Sequence, residues 1–502
     1  MTPLRTPLRY LPQLAALCGL GYLLSAPLVA QEPNLYKSKP AGHEKNKLWV
    51  MSASQASLRR ATNDSDILVL PGLIADKQKQ RVEVMVESTG LGENAPCEFT
   101  IVGENSEHAY EALLISFSQP SAVRQALEFI GKTPGQPIDP DGWRYWARGE
   151  CVELSVVKNG EPPVRLEKLL LDRRTETTLP EVGFRFTGSR WMADPSHPGR
   201  KLFAADALQP MAMVSLFNTA HSVLEVPQVA AQGDVYQNTS VNPAHRFSEG
   251  QLLKLIIEPV KKADAKGVKD LALRVSEGKG SATTPLVGLE RLKNLTFELN
   301  DGAALLNGQP SISSVMQALA LCDRKKNEYF LTVSFQGEVK LGEVQALASL
   351  LSIMDSERGV RVEPPQPGQL HYRVFTPDRE LLDRDKRVFH PWELYLSEKD
   401  NAVSGKLLAI HSVYGSDGAR AELKSAERVV ANSEALVKGM EAMDEQAIKS
   451  GQPPRPPVIM VFAPSTLRYG PLAKFLERAL PSRKLIHVYL DETMPPLTEE
   501  KP

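Results

Sequence analysis

The residues best suited to chemistry lie in a polar loop in the first third of the chain. His108 and Glu111 lie between two apolar segments typical of strands, 97–102 and 113–117, and Glu98 lies near the start of the first of them. A histidine close to carboxylates can bind a divalent metal or act as a general acid and base. The sequence favours a solvated polar loop instead, because no HExxH, HxH or paired CxxC spacing accompanies these residues. We therefore predict no catalytic residue and no metal ligand.

A second group combines aromatic and basic side chains in one short segment: Trp143, Arg144, Tyr145 and Trp146. An exposed patch of this kind can bind a glycan or a peptide by stacking and cation–π contacts. The alternative is that the rings pack a loop onto a sheet. Together with Glu98, His108 and Glu111, these four residues are the candidate contacts for a ligand or partner.

Cys97 and Cys151 both begin apolar strand-like segments. In an oxidising compartment they could form a disulfide, and the alternative is two small buried residues. No cysteine spacing is typical of a metal site or an iron–sulfur cluster, so we predict no cofactor.

Length and charge restrict the class of protein. A chain of 502 residues is expected to form several domains. Its formal net charge is -1, from 59 basic and 60 acidic residues, which argues against nucleic acid as a partner.

The N-terminus has the pattern of an export signal. Residues 1–30 combine two arginines with a long apolar segment, and a polar segment starts at Gln31. This pattern predicts a periplasmic or secreted protein, with an uncleaved membrane anchor as the alternative. Residues 31–65 are polar and lysine-rich, and we interpret them as a tether.

Residues 66–260 are predicted to form a β-rich domain. The segment 81–87 (RVEVMVE) alternates polar and apolar residues, and Asn159-Gly160 marks a hairpin. This region resembles the YdjY domain family, whose function is unknown, so the resemblance implies a domain and no mechanism. The resemblance rests on Glu98-Phe99, His108, Glu111, 113–116, Pro120-Ser121, Gly131, Pro134-Gly135, 186–189, Ala205-Asp206 and 214–216.

After a charged stretch interpreted as a linker (261–285), two further units are predicted at 286–366 and 367–492, followed by a disordered tail at 493–502. When Val333 is aligned with Val461, Gly342 falls opposite Gly470, and strand, turn and helix repeat in phase. Each unit has the pattern of a βαβ crossover. A long charged helix is predicted at 420–450.

The two units also resemble the periplasmic domain of ExbD/TolR proteins, at 307–310, 340–344 and 468–472. The resemblance implies a shared scaffold and a habit of pairing or of binding peptides and peptidoglycan. Proton-driven energy transduction is not implied, because the transmembrane helix with its intramembrane aspartate is missing.

These observations predict an α+β fold, with a β-rich N-terminal domain followed by two small βαβ-type sandwich units. The predicted function is that of an exported, non-catalytic envelope protein that binds a protein, peptide or glycan. Exposed strand edges would add a strand from the partner or from a second copy. The alternative is a metal-dependent or acid–base enzyme that uses the loop with His108 and Glu111.

Overall fold

The computed structural model describes residues 39–490 apart from 93–94, 140–143, 195, 198, 262–265, 279–287, 301–310, 321, 323–325, 359, 364–369, 371–373, 376–391, 400–401, 415–420, 452–454, 456–457 and 480–484. The predicted export signal, the start of the predicted tether, Trp143 and the predicted tail lie outside the described residues. None of the helices in the described part has the length and apolar character that a membrane span requires.

The first half of the chain is mainly strand. Its strands are β1 (Ile67–Leu70), β2 (Leu73–Asp76), β3 (Arg81–Ser88), β4 (Phe99–Gly103), β5 (Ala112–Ser116), β6 (Cys151–Val157), β7 (Val164–Arg165), β8 (Leu170–Asp172), β9 (Thr177–Thr178), β10 (Phe184–Phe186), β11 (Trp191–Ala193), β12 (Lys201–Phe203), β13 (Ala212–Ser215), β14 (Leu224–Glu225), β15 (Thr239–Val241) and β16 (Leu252–Pro259). Its helices are α1 (His43–Ala61), α2 (Pro120–Phe129), α3 (Ala204–Ala207) and α4 (Gln232–Asn238).

Eight of these strands close into a ring, in the order β3-β16-β6-β10-β14-β13-β4-β5, and β5 pairs back with β3. Closure removes free sheet edges and directs alternate side chains inward. In β3, for example, Val82, Val84 and Val86 are fully buried while Glu83 is half-buried. The β-rich N-terminal region and the α+β class are therefore confirmed.

The ring also shows why Cys97 and Cys151 do not form a disulfide. Both thiols are free. Cys97 lies two residues before β4 and Cys151 begins β6, so three strands separate them in either direction around the ring. The structure therefore does not form the candidate disulfide, because strand order places the two residues on opposite sides of the ring, and the alternative of two small packed residues fits the buried Cys97 and the partly buried Cys151.

Helix α1 occupies the region interpreted as a tether. It packs on β1, and its residues His43 and Val50 are buried. The Ser54 hydroxyl accepts a hydrogen bond of 2.9 Å from the Gly72 amide. The prediction of a tether is thus wrong for 43–61, because a few specific contacts hold a helix that lacks a strong apolar stripe.

The second half contains two sheets. Its strands are β17 (Gly267–Glu277), β18 (Leu295–Asn300), β19 (Asn327–Phe335), β20 (Val360–Val362), β21 (Val374–Phe375), β22 (Trp392–Lys399), β23 (Ala402–Tyr414), β24 (Ala421–Val430), β25 (Val458–Ala463) and β26 (Leu485–Leu490). Its helices are α5 (Ile312–Ala320), α6 (Leu341–Arg358), α7 (Ser433–Lys449) and α8 (Tyr469–Leu476).

The two sheets share an order of strands. The first is β18-β17-β19-β20, and the second contains β23-β22-β25-β26 with β24 added outside β23 and β21 added outside β26. In both, the first two strands are antiparallel and the remaining pairings are parallel. A helix precedes each of the last two strands. The second sheet therefore contains the arrangement of the first plus one strand at each edge.

Two predicted boundaries are corrected. β17 lies inside the predicted linker and is the strand on which the first sheet is assembled. The long helix predicted at 420–450 is instead the strand β24 followed by α7, whose N-cap residue Asn432 accepts a hydrogen bond from the Ala435 amide at 2.9 Å. A single hydrophobic core extends through both sheets, from Leu271 to Leu490, so the two units do not have separate cores.

Candidate functional site

The predicted His108 loop forms a hydrogen-bonded pair. A short 3-10 turn, Ala109–Glu111, brings the two ends of the His-Ala-Tyr-Glu segment together. His108 Nδ1 lies 2.5 Å from Glu111 Oε1, and the imidazole is about one-third exposed whereas the carboxylate is almost buried. The ring also packs edge-on against Phe99 and stacks with Tyr110. The loop therefore presents one oriented imidazole near solvent.

Glu98 is close to this pair but has another partner. Its Oε2 accepts a hydrogen bond of 2.7 Å from Gln232 Nε2. Burial raises the pKa of Glu98, and the Gln232 hydrogen bond opposes that effect. Burial, with the nearby charges of Glu111 and Glu98, raises the pKa of the neighbouring Cys97 thiol to about 12, which disfavours the thiolate form.

His108 is not part of a cluster of three potential metal ligands among the described residues. Among the described residues, one group of three His, Cys, Asp or Glu side chains has its ligand atoms within 4.8 Å of one another, and that group does not include His108. The structure thus brings together His108 and Glu111, with Glu98 held separately by Gln232.

The predicted aromatic and basic segment lies at the contact between the two halves of the chain. Trp146 is 4% exposed, and its indole Nε1 donates a hydrogen bond of 3.5 Å to Glu363 Oε1, just after β20. Tyr145 is 40% exposed. The Arg144 side chain is mostly buried and lies 3.8 Å from Glu363. Of the two interpretations of this segment, packing applies to Arg144 and Trp146, and both pack against the second half of the chain.

Arg148 completes this contact. Its guanidinium lies 3.5 Å from Glu363 Oε1 and 2.7 Å from Asp270 Oδ1, and it lies over the Phe330 ring at 4.1 Å from the centroid. Burial raises the pKa of Glu363, whereas Arg148 and Arg144 favour its ionised form. Basic residues of the segment before β6 therefore face acidic residues of the C-terminal half.

A partly buried ion pair that sequence reasoning missed lies beside this contact. Arg185 in β10 bonds to Glu328 at the start of β19, with Nη2–Oε1 and Nη1–Oε2 distances of 2.7 and 3.0 Å. Directly opposite Arg185 across the strands is Glu225 in β14. Its carboxylate accepts hydrogen bonds from Asn218, Thr219 and Ser222, yet complete burial raises its pKa to about 7.

A second histidine cluster was also missed, because it lies in the segment interpreted as a tether. His43 begins α1, its ring stacks on Phe117, and its Nδ1 bonds to Glu87 in β3. The Nε2 atom lies 3.3 Å from Glu104 Oε1, and that oxygen accepts a hydrogen bond of 2.5 Å from Lys47 Nζ. Burial opposes ionisation of Glu104, but the hydrogen bond from Lys47 and the nearby imidazole of His43 outweigh it and lower the Glu104 pKa.

Two loops, 337–342 and 465–470, join the two sheets of the second half by running antiparallel to each other. Four backbone hydrogen bonds of 2.8–2.9 Å connect them, from the amides of Leu341, Gly342, Tyr469 and Gly470 to the carbonyls of Leu467, Ser465, Val339 and Gly337, respectively. When Gly342 is aligned with Gly470, the bond donated by Leu341 corresponds to the bond donated by Tyr469. The bond donated by Gly342 corresponds in the same way to the bond donated by Gly470. The loops are therefore related by a local two-fold at the bridge between Lys340 and Arg468, which are themselves equivalent.

The edge strand β18 differs from its counterpart β23. On β23 the strand β24 pairs over ten residues, from Gly405↔Val430 to Tyr414↔Ala421. Among the described strands, β17 alone pairs with β18. The Gly278 amide donates to the Asn294 carbonyl at 2.7 Å, which makes this a hydrogen-bonded pair. Because such pairs alternate in an antiparallel ladder, the amides and carbonyls of residues 295, 297 and 299 point away from β17.

Comparison with known proteins supports one part of the sequence interpretation. No curated protein and no solved structure matches the chain. The resemblance of the C-terminal units to ExbD/TolR proteins accordingly gains no support from relatives. Residues 73–209, which include β2 through α3 and the His108 loop, match the family model of the YdjY domain.

Proposed function

We propose that the chain is an exported, non-catalytic binding protein whose C-terminal half takes up an extended segment of a partner as an added strand. The observation that carries this proposal is the difference between two equivalent sheet edges. In the second sheet β24 lies along the outside of β23, and in the first sheet β18 has no described strand at the same place. The partner strand would occupy, beside β18, the place of β24.

The proposal treats the two sheets as copies of one unit. Their common strand order and directions support this, and so do the reciprocal hydrogen bonds around Lys340 and Arg468. The second sheet, in which β24 pairs antiparallel with β23, then indicates how a partner would bind to the first sheet. The partner segment would pair antiparallel with the outer edge of β18. An ExbD/TolR-like scaffold, with its habit of pairing and of binding peptides, agrees with this mode.

The chemistry of the edge indicates a peptide or protein segment as the partner. The outward backbone groups belong to Leu295, Phe297 and Leu299, whose side chains are buried, so the backbone itself is the recognition surface. Thr296 and Glu298 point to the outer face of the sheet, where Glu298 lies directly opposite Arg274 of β17. A linear array of amides and carbonyls matches an extended polypeptide better than a glycan. A basic residue opposite Glu298 would add a favourable cross-strand pair.

The signal-like residues 1–30 support an export route, which would place this edge in the envelope or outside the cell. There the partner would be an envelope protein or a peptide. The alternative acid–base site has less support, because the loop contributes a single His108–Glu111 pair and Glu98 is held by Gln232.

Selection of random displayed peptides against the full-length chain, followed by site-specific photo-crosslinking, tests the proposal. A crosslinker at Glu298 should capture the selected peptides. The matched control carries the crosslinker at Arg274, with β18 between it and the added strand, and should capture far less. Equal capture at both positions, or capture at neither, would reject β18 as the binding edge. Capture of a second copy of the chain at Glu298 would identify self-association as the use of this edge.

A further inference from the structure

We propose a binding site for a divalent transition metal of the Zn²⁺ type at the junction of α1 and the N-terminal ring, with His43, Glu44 and Glu104 as ligands. One potential ligand atom from each lies within 4.8 Å of the others. This proposal is independent of the strand-binding function, which concerns the other half of the chain.

The buried imidazole is the observation that points to a ligand. His43 is 3% exposed, and its Nε2 atom is buried with no hydrogen-bond partner among the described residues. The 3.3 Å separation from Glu104 Oε1 lacks the geometry of a hydrogen bond. A buried, unsatisfied ring nitrogen is costly, and a cation on Nε2 would satisfy it.

The other ring nitrogen of His43, Nδ1, has a carboxylate partner, as is usual for histidines that bind a metal. Nδ1 bonds to the fully buried Glu87, whose second oxygen accepts a hydrogen bond of 2.9 Å from Asn46 Nδ2. A carboxylate on one nitrogen of a histidine fixes the ring and makes the other nitrogen a better ligand. Glu87 therefore holds the proton on Nδ1 and directs the Nε2 lone pair towards Glu104.

The set of donor atoms decides the class of metal. One imidazole and two carboxylates suit Zn²⁺, with water as a fourth ligand, whereas Ca²⁺ and Mg²⁺ prefer oxygen ligands alone. Glu44 is exposed and lies one residue from His43 at the start of α1, so its side chain can move to shorten the ligand distances.

Two lysines compete for the same carboxylate. Lys47 Nζ lies 2.5 Å and Lys39 Nζ 3.4 Å from Glu104 Oε1. Both amines are about one-third exposed, so a metal ion can displace them into solvent. Competition predicts that Lys47→Ala strengthens metal binding, which a mere network of ion pairs would not produce.

Titration of the chelator-treated, full-length chain with Zn²⁺ by calorimetry, and with Co²⁺ by visible absorption, tests the site. We expect one ion per chain and a Co²⁺ spectrum without thiolate charge-transfer bands. Glu44→Gln should weaken binding at least tenfold, Glu87→Gln about 10–100-fold, and Lys47→Ala should strengthen it. Glu107→Gln and His108→Ala are controls and should leave affinity unchanged.

Thermal unfolding without metal shows whether the Glu87→Gln variant still folds. If that variant does not fold, Glu44→Gln still tests the site, because Glu44 is exposed and its substitution should not affect folding. No stoichiometric binding, or binding that is unchanged in Glu44→Gln, would overturn the proposal. Loss of metal binding in His108→Ala would show that the metal binds at the His108 loop instead, and this result would also overturn the proposal.

Discussion

The backbone of Gly470 lies directly against that of Gly337, and the Gly470 amide donates a hydrogen bond of 2.9 Å to the Gly337 carbonyl. A Cβ at position 470 would lie 2.7 Å from Gly337 Cα. We therefore predict that Gly470→Ala separates the two loops and lowers the free energy of unfolding by about 1–3 kcal/mol, the usual cost of overpacking. Urea unfolding measures this effect.

Gly337→Ala is the matched control for that substitution. A Cβ at position 337 would meet Gly470 Cα at 3.4 Å, an ordinary contact. Its cost should be much smaller, and equal costs at the two positions would contradict the described packing of the loops.

The ion pair between the two halves predicts a second stability effect. The Arg185 side chain is 4% exposed and Glu328 is 27% exposed. Glu328→Gln leaves the buried guanidinium without its anion, which costs about 3–5 kcal/mol in fully buried pairs. Partial exposure of Glu328 should reduce the cost to about 2 kcal/mol, measured by urea unfolding. The exposed pair of Glu290 and Lys293 gives the control Glu290→Gln, expected within about 0.5 kcal/mol of wild type.

Glu225 predicts a pH dependence of stability. Burial raises its pKa from 4.5 to about 7, so between these values the folded state binds more protons than the unfolded state. The free energy of unfolding must then fall as pH rises from about 4.5 to 7, by about 3 kcal/mol in total from this group. Above pH 7 the full penalty is present.

Glu225→Gln removes the ionisable carboxyl group and therefore isolates its contribution to the pH dependence of stability. The difference in unfolding free energy between variant and wild type should shift in favour of the variant between pH 5 and pH 8. A difference that stays constant across this range would show that Glu225 is ionised in the folded protein throughout.

Local patterns predicted the elements well where apolar residues have a clear period. The alternation in 81–87 predicted β3, and the strands aligned at Val333 and Val461 are β19 and β25. The charged segment 420–450 was predicted as one helix, but a strand and a helix share it. Charges on most faces of a predicted helix are equally compatible with an edge strand.

The sites were harder to predict because they depend on distant partners. The sequence placed His108 and Glu111 close together, because only three positions separate them along the chain. His43 and Glu87 are 44 residues apart, and neither has a motif around it. Trp146 is one of the candidate contact residues of the sequence analysis, but its partner Glu363 lies 217 residues away, in the other half of the chain. A single sequence contains no local signal for such pairings.

Amide hydrogen exchange of β18, with and without a selected peptide, tests the central claim most directly. If a partner strand pairs with the outer edge, the amides of Leu295, Phe297 and Leu299 should gain protection, while those of Thr296 and Glu298, already bonded to β17, should change little. Protection that does not alternate along β18, or that is confined to another part of the chain, would contradict the account.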